Sequence, residues 1–250
     1  MTLYDVLLYI FVGLYGLVIG SFLNVCIFRI PKGEGIARTR SHCMNCGYEL
    51  KWYDLIPVFS YIGLRGRCRK CKEKISIQYP LVESLNALLY VLIFLADGFS
   101  LLSVVYCLMA SALIVLSVID ERTRTIPYSI NIFLMLLGVV RVLLDYRQWY
   151  IYIIGAVVMG VFIFILWYAG GMGGGDLLLM IAAGLLLGYK GVILALFAGC
   201  IVGSVIHLIR MKFFGAERKL SFGPYLAIGI ILSMFFAQAF LEWYCGGIFA

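Results

Sequence analysis

Eight apolar runs, at about 6–28, 80–96, 99–119, 127–144, 149–170, 177–189, 191–209 and 223–244, leave this chain few ways to fold. A helix needs roughly 17–25 apolar residues to cross hydrocarbon, and most of the runs are that long. The sixth is short and carries Gly184 and Gly188, which predicts a tilted, buried or broken segment. One water-soluble core is excluded by composition, since 64% hydrophobic residues, 13% charged ones and a mean hydropathy of +1.03 cannot be hidden inside 250 residues. In lipid every backbone N–H and C=O must be satisfied within the chain. Uninterrupted apolar runs therefore form helices, whereas barrel strands would alternate over about ten residues. The expected fold is an all-α polytopic membrane protein of about eight transmembrane helices, organised as a first helix over 1–28, a basic loop over 29–79 and a membrane domain over 80–250.

The cations orient it. Of 20 Lys and Arg, eleven lie between Arg29 and Lys74, two are Arg122 and Arg124, and four are Arg210, Lys212, Arg218 and Lys219. In an eight-span arrangement these fall on one side, leaving Arg141, Arg147 and Lys190 for the other side or the span ends. The positive-inside rule makes the richer side cytoplasmic and places both termini outside. Asp5 precedes the first run and Arg29 follows it, the reverse of a secretory signal peptide, so that run is expected to stay in the mature protein. The loop's eleven cations face only Glu34, Glu49, Asp54 and Glu73, and account for the net charge of +7. Juxtamembrane basic loops are drawn to anionic membrane lipid at about 1 kcal/mol per cation. No nucleic-acid-binding module is recognisable, so lipid rather than nucleic acid is the expected partner of this charge.

Within the loop, SHCMNCGYEL and RGRCRKCKEK contain the most specific short pattern of the chain. Cys43, Cys46, Cys68 and Cys71 form two C-x-x-C knuckles with 21 residues between them, close to the spacing of a four-thiolate zinc site. Each knuckle turns two sulfurs to one side, and the pair completes a tetrahedron. Arg67, Arg69, Lys70 and Lys72 are expected to favour the thiolates. A loop of roughly 45 residues is too small for a core of its own, so a metal staple is the structural reading. A redox pair or a disulfide framework is the rival, disfavoured by a reducing cytoplasm. His42 adjoins the first knuckle as a bystander or an exchange ligand. Cys26, Cys107, Cys200 and Cys245 are dispersed and read as small membrane hydrophobes.

Two carboxylates stand where lipid would not favour them: Asp120 in VLSVIDERTRTIP, ending the third run, and Asp176 in GGMGGGDLLLM, opening the sixth. Both ends face the cytoplasm in the eight-span arrangement, hence lie at one depth. An acid inside a span costs a few kcal/mol and marks a candidate functional site. Two close together cannot both ionise easily, so one holds a proton while the other takes one from water, as in aspartyl-type peptide hydrolysis. Gly173, Gly174 and Gly175 would then permit close approach of a substrate backbone. Two other readings stand beside this one. Asp120 could pair with Arg122 or Arg124 while Asp176 acts as an N-cap, or the acids could serve a proton- or cation-coupled transporter. Glu83, Asn86 and Asn24 are open to either a role beside the acids or interhelix bonding. His207, alone in its span, reads as a packing or snorkelling residue.

These residues carry a resemblance that runs over essentially the whole chain: GSFLNVCIFRIP (20–31), WYDLIPVFSYIGLRGRCRKC with the knuckles, ISIQYPLVE (75–83), IDERTRTIP (119–127), GMGGGDLLLMIAAGLLLG (171–188) and FGPYLAIG (222–229). The chain resembles the bacterial type IV prepilin peptidases, G-x-G-D intramembrane aspartyl proteases with leader-peptidase and N-methyltransferase activities. The resemblance implies that Asp120 and Asp176 are the catalytic pair and that the substrate is the N-terminal segment of a prepilin or pseudopilin, cut at the cytoplasmic face of the bacterial inner membrane. It also implies that S-adenosylmethionine methylates the new amino terminus, an activity attributed to members with the cysteine-bearing loop. Leu178 stands where relatives usually carry Lys, and Met44 where they often carry Pro. No G-x-G-x-x-G follows a strand pattern, and the loop is too short for a Rossmann-type methyltransferase domain. The charge distribution makes one direct prediction: labels at 33–66 and 213–217 react from the cytoplasm and tags at either terminus from outside, and a cytoplasmic carboxy terminus overturns the eight-span count.

Overall fold

Apolar helices make up nearly all of the computed structural model, which describes residues 3–36, 40–214 and 221–246. Arg38, Arg218 and Lys219 of the cation count, and both termini, lie outside the described residues. In chain order the helices are α1 (Leu3–Arg29), a short α2 (Phe59–Gly63), α3 (Gln78–Asp97), α4 (Leu101–Thr123), α5 (Tyr128–Leu144), α6 (Trp149–Tyr168), α7 (Gly174–Phe214) and α8 (Gly223–Gly246). Among the described residues there are no strands, only isolated antiparallel bridges at His42–Glu49 and Arg67–Lys74. The chain divides into two compact units, Met1–Val115 and Leu116–Ala250, and α4 runs across the boundary.

In the first unit α1 packs along α3, and small residues let the backbones meet. A Cβ on Gly20 would come within 2.6 Å of Glu83 Cα, and one on Gly16 within 2.7 Å of Ala87 Cα. Polar side chains then bridge the pair. Asn86 Nδ2 donates to the Gly16 carbonyl at 2.7 Å and Ser111 Oγ to Asn86 Oδ1 at 2.8 Å, while Asn24 Nδ2 donates to the Tyr79 carbonyl at 3.2 Å. Asn86 and Asn24 are thus interhelix residues. Such bonds contribute about 0.6 kcal/mol on average in a membrane, so they set register more than stability.

In the second unit α7 packs against α5, α6 and α8. Its 41 residues do not form one rod. Gly188 has φ 72° and ψ 176°, a conformation only glycine enters readily, and it breaks the helix into two segments. A continuous helix of that length would span about 60 Å. Yet its first turn holds Asp176, near enough to Asp120 at the end of α4 for the two charges to interact, and its far end holds Arg210, whose Nη1 lies 2.9 Å from Glu121 Oε1 at that same end of α4. The chain therefore doubles back at Gly188. Counting those two segments separately and leaving out the short α2, the apolar helices among the described residues number eight, as the hydropathy pattern predicts; six of the described helices meet the length and apolarity of a membrane span, with the 17-residue α5 just short of it. Gly184 is not part of the break: it stays helical and lets α6 approach, a Cβ there coming within 2.5 Å of the Gly155 carbonyl carbon.

Gly188→Ala is expected to lower stability by roughly 2 kcal/mol or more, because it adds strain in a glycine-only conformation and crowds the Ile151 side chain, 2.7 Å from where the Cβ would sit. A thermal melt of the detergent-purified variant at the wild-type midpoint would show that α7 does not need this reversal.

Candidate active site and metal centre

The second unit brings Asp120 and Asp176 together at its converging helix ends. Asp120 is 5% exposed, in the last turn of α4; Asp176 is 9% exposed, third residue of α7. Each is held through one oxygen by a glycine amide. Gly223 N–H, at the start of α8, donates to Asp120 Oδ2 at 3.0 Å, and Gly173 N–H donates to Asp176 Oδ2 at 3.2 Å. Asp176 is therefore not the N-cap. It is the residue that reaches back to the N-cap amide, the acidic half of a capping box, at the end of the helix where the dipole favours a negative charge. Its other oxygen, Oδ1, is buried with no hydrogen-bond partner. That orphaned acceptor is the main chemical fact of the site, because a buried unpaired lone pair carries a desolvation penalty of about 1–3 kcal/mol and persists where a ligand or water uses it.

The glycines are explained in part by packing. A Cβ on Gly223 would sit 2.6 Å from Asp120 Oδ2, so the amide can reach that carboxylate only from glycine. A Cβ on Gly175 would meet Ile126 Cβ at 2.8 Å, so the neighbour that requires glycine there is the Ile126 side chain. Gly173, Gly174 and Gly175 do not use left-handed torsions; the left-handed residue of this turn is Gly170, φ 77°.

Sequence reasoning missed two residues here. Asn131 on α5 is 1% exposed and donates Nδ2 to the Gly175 carbonyl at 3.1 Å, while its Oδ1 is a second buried acceptor without a partner. Gly223 lies in the FGPYLAIG stretch, where a Gly-Pro at a helix start was its available signal. Beside Asp120, Glu121 accepts from Arg210 and, at 2.9 Å, from Ser221 Oγ. These groups are solvent-exposed, so the brace adds at most about 1 kcal/mol and serves to align helix ends. The end of α4 itself is closed by Arg124, at φ 55°, whose N–H donates to the Asp120 carbonyl at 2.8 Å.

In the first unit Cys43, Cys46, Cys68 and Cys71 converge with all four sulfurs within 4.8 Å of one another. Cys43–Cys71 is 3.8 Å and Cys46–Cys68 is 4.0 Å. A tetrahedral ion about 2.3 Å from each sulfur requires sulfur separations of about 3.8 Å, so the cluster fits a metal such as zinc. The two knuckles repeat one geometry. Cys43 N–H bonds to the Tyr48 carbonyl and Cys68 N–H to Glu73, and the residue after each second cysteine, Gly47 or Lys72, has φ 67° or 61°. Electrostatics within the cluster is uneven. The Cys71 backbone N–H pulls the Cys68 thiol down to about 6. At Cys46 the Tyr48 amide pulls down, but burial and three neighbouring sulfurs outweigh it and push that thiol up to about 11. Cys68 thus forms its thiolate readily, and a bound cation would bring Cys46 down to join it.

Arg69 does not face the thiolates as its position suggested. It pairs with Asp54 at 2.7 Å and lies over the Tyr53 ring, 4.9 Å from its centroid. Burial raises Asp54, but Arg69 and the Lys51 amide outweigh it and hold the carboxyl below its ordinary range. Tyr48 also donates to Asp54, at 3.3 Å, so this pair ties the second knuckle to the chain that follows the first. His42 stays outside the cluster, its Nδ1 3.2 Å from the Arg40 carbonyl.

The fold and site thus define a multi-pass membrane protein with two buried aspartates at helix ends and a separate four-cysteine cluster. Residues 14–96 match the model of the bacterial peptidase A24 N-terminal domain and residues 107–208 that of the type IV leader peptidase family. Relatives named prepilin leader peptidase/N-methyltransferase include one from Burkholderia pseudomallei, 32% identical over 90% of this chain and 84% of the relative, and one from Xanthomonas campestris, 33% identical over 92% and 91%. A third, from Bacillus subtilis, is 30% identical over 92% and 95%. No solved structure matches the chain significantly. The chain belongs to the type IV leader peptidase family.

Elemental analysis of the purified protein is expected to give about one metal ion per chain. Replacing Cys43 and Cys46 together by Ser should remove most of it and lower the thermal midpoint. Metal-free protein with an unchanged midpoint would show that the sulfurs are not a staple.

Proposed function

We propose that this protein is a prepilin leader peptidase with N-methyltransferase activity, in which Asp120 and Asp176 activate water to cut the leader from type IV prepilins or pseudopilins. The observation that carries the reading is the enclosed pair itself: each carboxylate is fixed through one oxygen by a glycine amide, and Asp176 Oδ1 is left with a lone pair to spend. One carboxyl takes the proton of the attacking water while the other, protonated, donates to the carbonyl oxygen of the scissile bond. The roles then reverse as the amine leaves. Fixed positions matter because reacting groups must meet within a few tenths of an ångström of their productive geometry. Gly173 and Gly174 are the places where a substrate backbone comes close to the pair. Asn131 holds the Gly175 carbonyl and thereby the first turn of α7.

The charge distribution supports an inner-membrane protein with both termini outside and the pair at the cytoplasmic face. Zinc is the metal that four thiolates suit, held by Cys43, Cys46, Cys68 and Cys71; when bound it supplies a closed structural crosslink, with no open position for chemistry. The new amino terminus is methylated from S-adenosylmethionine. Kinship with peptidases does not favour a transporter.

Asp120→Asn and Asp176→Asn are each expected to abolish cleavage of a prepilin while leaving metal content and the thermal midpoint near wild type, since an amide keeps the shape but cannot exchange the water proton. The double variant should be hardly worse than either single one, because the two groups act as a unit. Either Asn variant keeping more than about a tenth of wild-type turnover, a loss under ~1.4 kcal/mol, would overturn the pair mechanism.

A further inference from the structure

The first unit holds a cavity that the aspartate pair does not line. It measures about 510 Å³ and lies between the cysteine loop and the ends of α1 and α3, and all of its lining residues fall within 21–83. Its walls combine three kinds of surface. Phe28 and Tyr79 offer stacked rings, 5.8 Å apart and 18° from parallel. Charges of both signs line it, Asp54 and Arg69 paired with each other and Arg29, Lys32 and Lys74 beside Glu34 and Glu73, and Asn24 offers an amide. The last is Glu83 on α3, a carboxylate only 6% exposed.

Glu83 is the unusual member. Its Oε2 accepts the Val58 N–H at 2.8 Å, and its other described partner is the Ser21 hydroxyl; neither is charged. A buried carboxylate whose partners are all neutral attracts a cation. Val58 in turn sits at φ 60° and ψ −50°, the centre of a tight turn that a β-branched residue adopts only under strain. Strain of this kind costs about 1–3 kcal/mol and collects at ligand clamps. The loop is thus pinned to a buried anion at the edge of a ligand-sized space, since sites for small molecules run from about 300 to 1,000 Å³.

We propose that this cavity binds the methyl donor, an adenosyl sulfonium of the S-adenosylmethionine class, with Glu83 as the carboxylate that offsets its positive sulfur. The proposal rests on the N-methyltransferase half of the function inferred above and gives it a place. The ligand class matches the lining: an aromatic base for the rings, an ammonium and a carboxylate for Asp54 and Arg69, and a sulfonium for Glu83. In the transfer, the lone pair of the neutral amino-terminal nitrogen forms the new N–C bond and the methyl C–S bond breaks. Sulfur keeps that electron pair as a neutral thioether, and the nitrogen gives its extra proton to water. Burial of the donor beside one carboxylate also keeps water from the methyl group.

The test uses the full-length protein in detergent micelles, titrated calorimetrically with S-adenosylmethionine and with S-adenosylhomocysteine. Wild type should bind the donor saturably at one site, and the neutral thioether product more weakly than the sulfonium. Glu83→Gln should weaken donor binding at least tenfold, and Ser60→Trp, which fills the cavity from the loop side, should do the same without altering the carboxylate. Asp120→Asn should bind as wild type does. Absence of saturable binding overturns the proposal, as does binding unchanged in a Ser60→Trp protein of wild-type metal content, or binding lost in Asp120→Asn. Leader cleavage, measured separately, divides the two readings: protein that cleaves but binds no donor defeats the cavity alone, and protein that binds donor but cleaves nothing defeats the peptidase.

Discussion

The reversal of α7 at Gly188 is the constraint on which the second unit depends. Without it, 41 residues of helix would carry Arg210 tens of ångströms from Asp176; with it, the start of α7, its end, and the start of α8 all gather at the last turn of α4. The site is therefore a meeting of helix termini. That has a chemical consequence, because helix termini are where backbone N–H groups are left without intrahelical partners. Lipid-facing helices offer no such donors along their length, and two carboxylates placed mid-helix would have found none.

Gly223 and Gly173 supply those donors, one to each carboxylate among the described residues. A hydrogen bond to an ionised group contributes about 1.5–3 kcal/mol, enough to orient a side chain but not to offset its full burial. Asp176 is left half-compensated, with Oδ1 buried and unpartnered. Full compensation would fix the proton and stop the chemistry, since an acid or base that shuttles a proton must keep a lone pair available at operating pH. The orphaned Asp176 Oδ1 and Asn131 Oδ1 mark the same region as unfinished without a ligand. Function and incomplete satisfaction are here the same observation.

Much of this was legible from residue order. Apolar runs locate helices because lipid enforces backbone pairing within each run, and the 17-residue α5 and the broken α7 differ from their predicted boundaries by only a few residues. The cysteine knuckles were legible because their geometry is local: a left-handed residue after the second sulfur closes each turn, whether Gly47 or Lys72. Asp120 and Asp176 stood out because a charge is conspicuous in apolar surroundings. What could not be read were partners chosen by tertiary contact. Gly223 is 103 residues from Asp120, and Asn131 is 44 from Gly175. Arg69 was expected beside the thiolates, yet Asp54, 15 residues away and almost wholly buried, offers a planar partner that a diffuse sulfur cluster does not. The alternative reading of Asp176 as an N-cap is met by Gly173 instead, three positions earlier, with Asp176 bonding back to its amide.

The loop between α1 and α3 poses a different physical problem from the helices, and its solution explains why a buried glutamate sits where it does. Lipid holds apolar helices in place through their surfaces, but a basic segment of this length has no core of its own. A metal held by its four sulfurs would crosslink only 43 to 71, and the Asp54–Arg69 pair stiffens that same stretch. Neither reaches the helices. The tie to them runs instead through Val58, whose amide meets the Glu83 carboxylate on α3, and through Arg29 at the end of α1, whose Nη1 donates to the Ile36 carbonyl at 2.7 Å. A neutral side chain at 83 could accept the same amide, but at roughly half the strength and without the charge. An ionisable acid there strengthens the anchor at a cost in burial, and the proposed sulfonium in the cavity beside it would use the same charge.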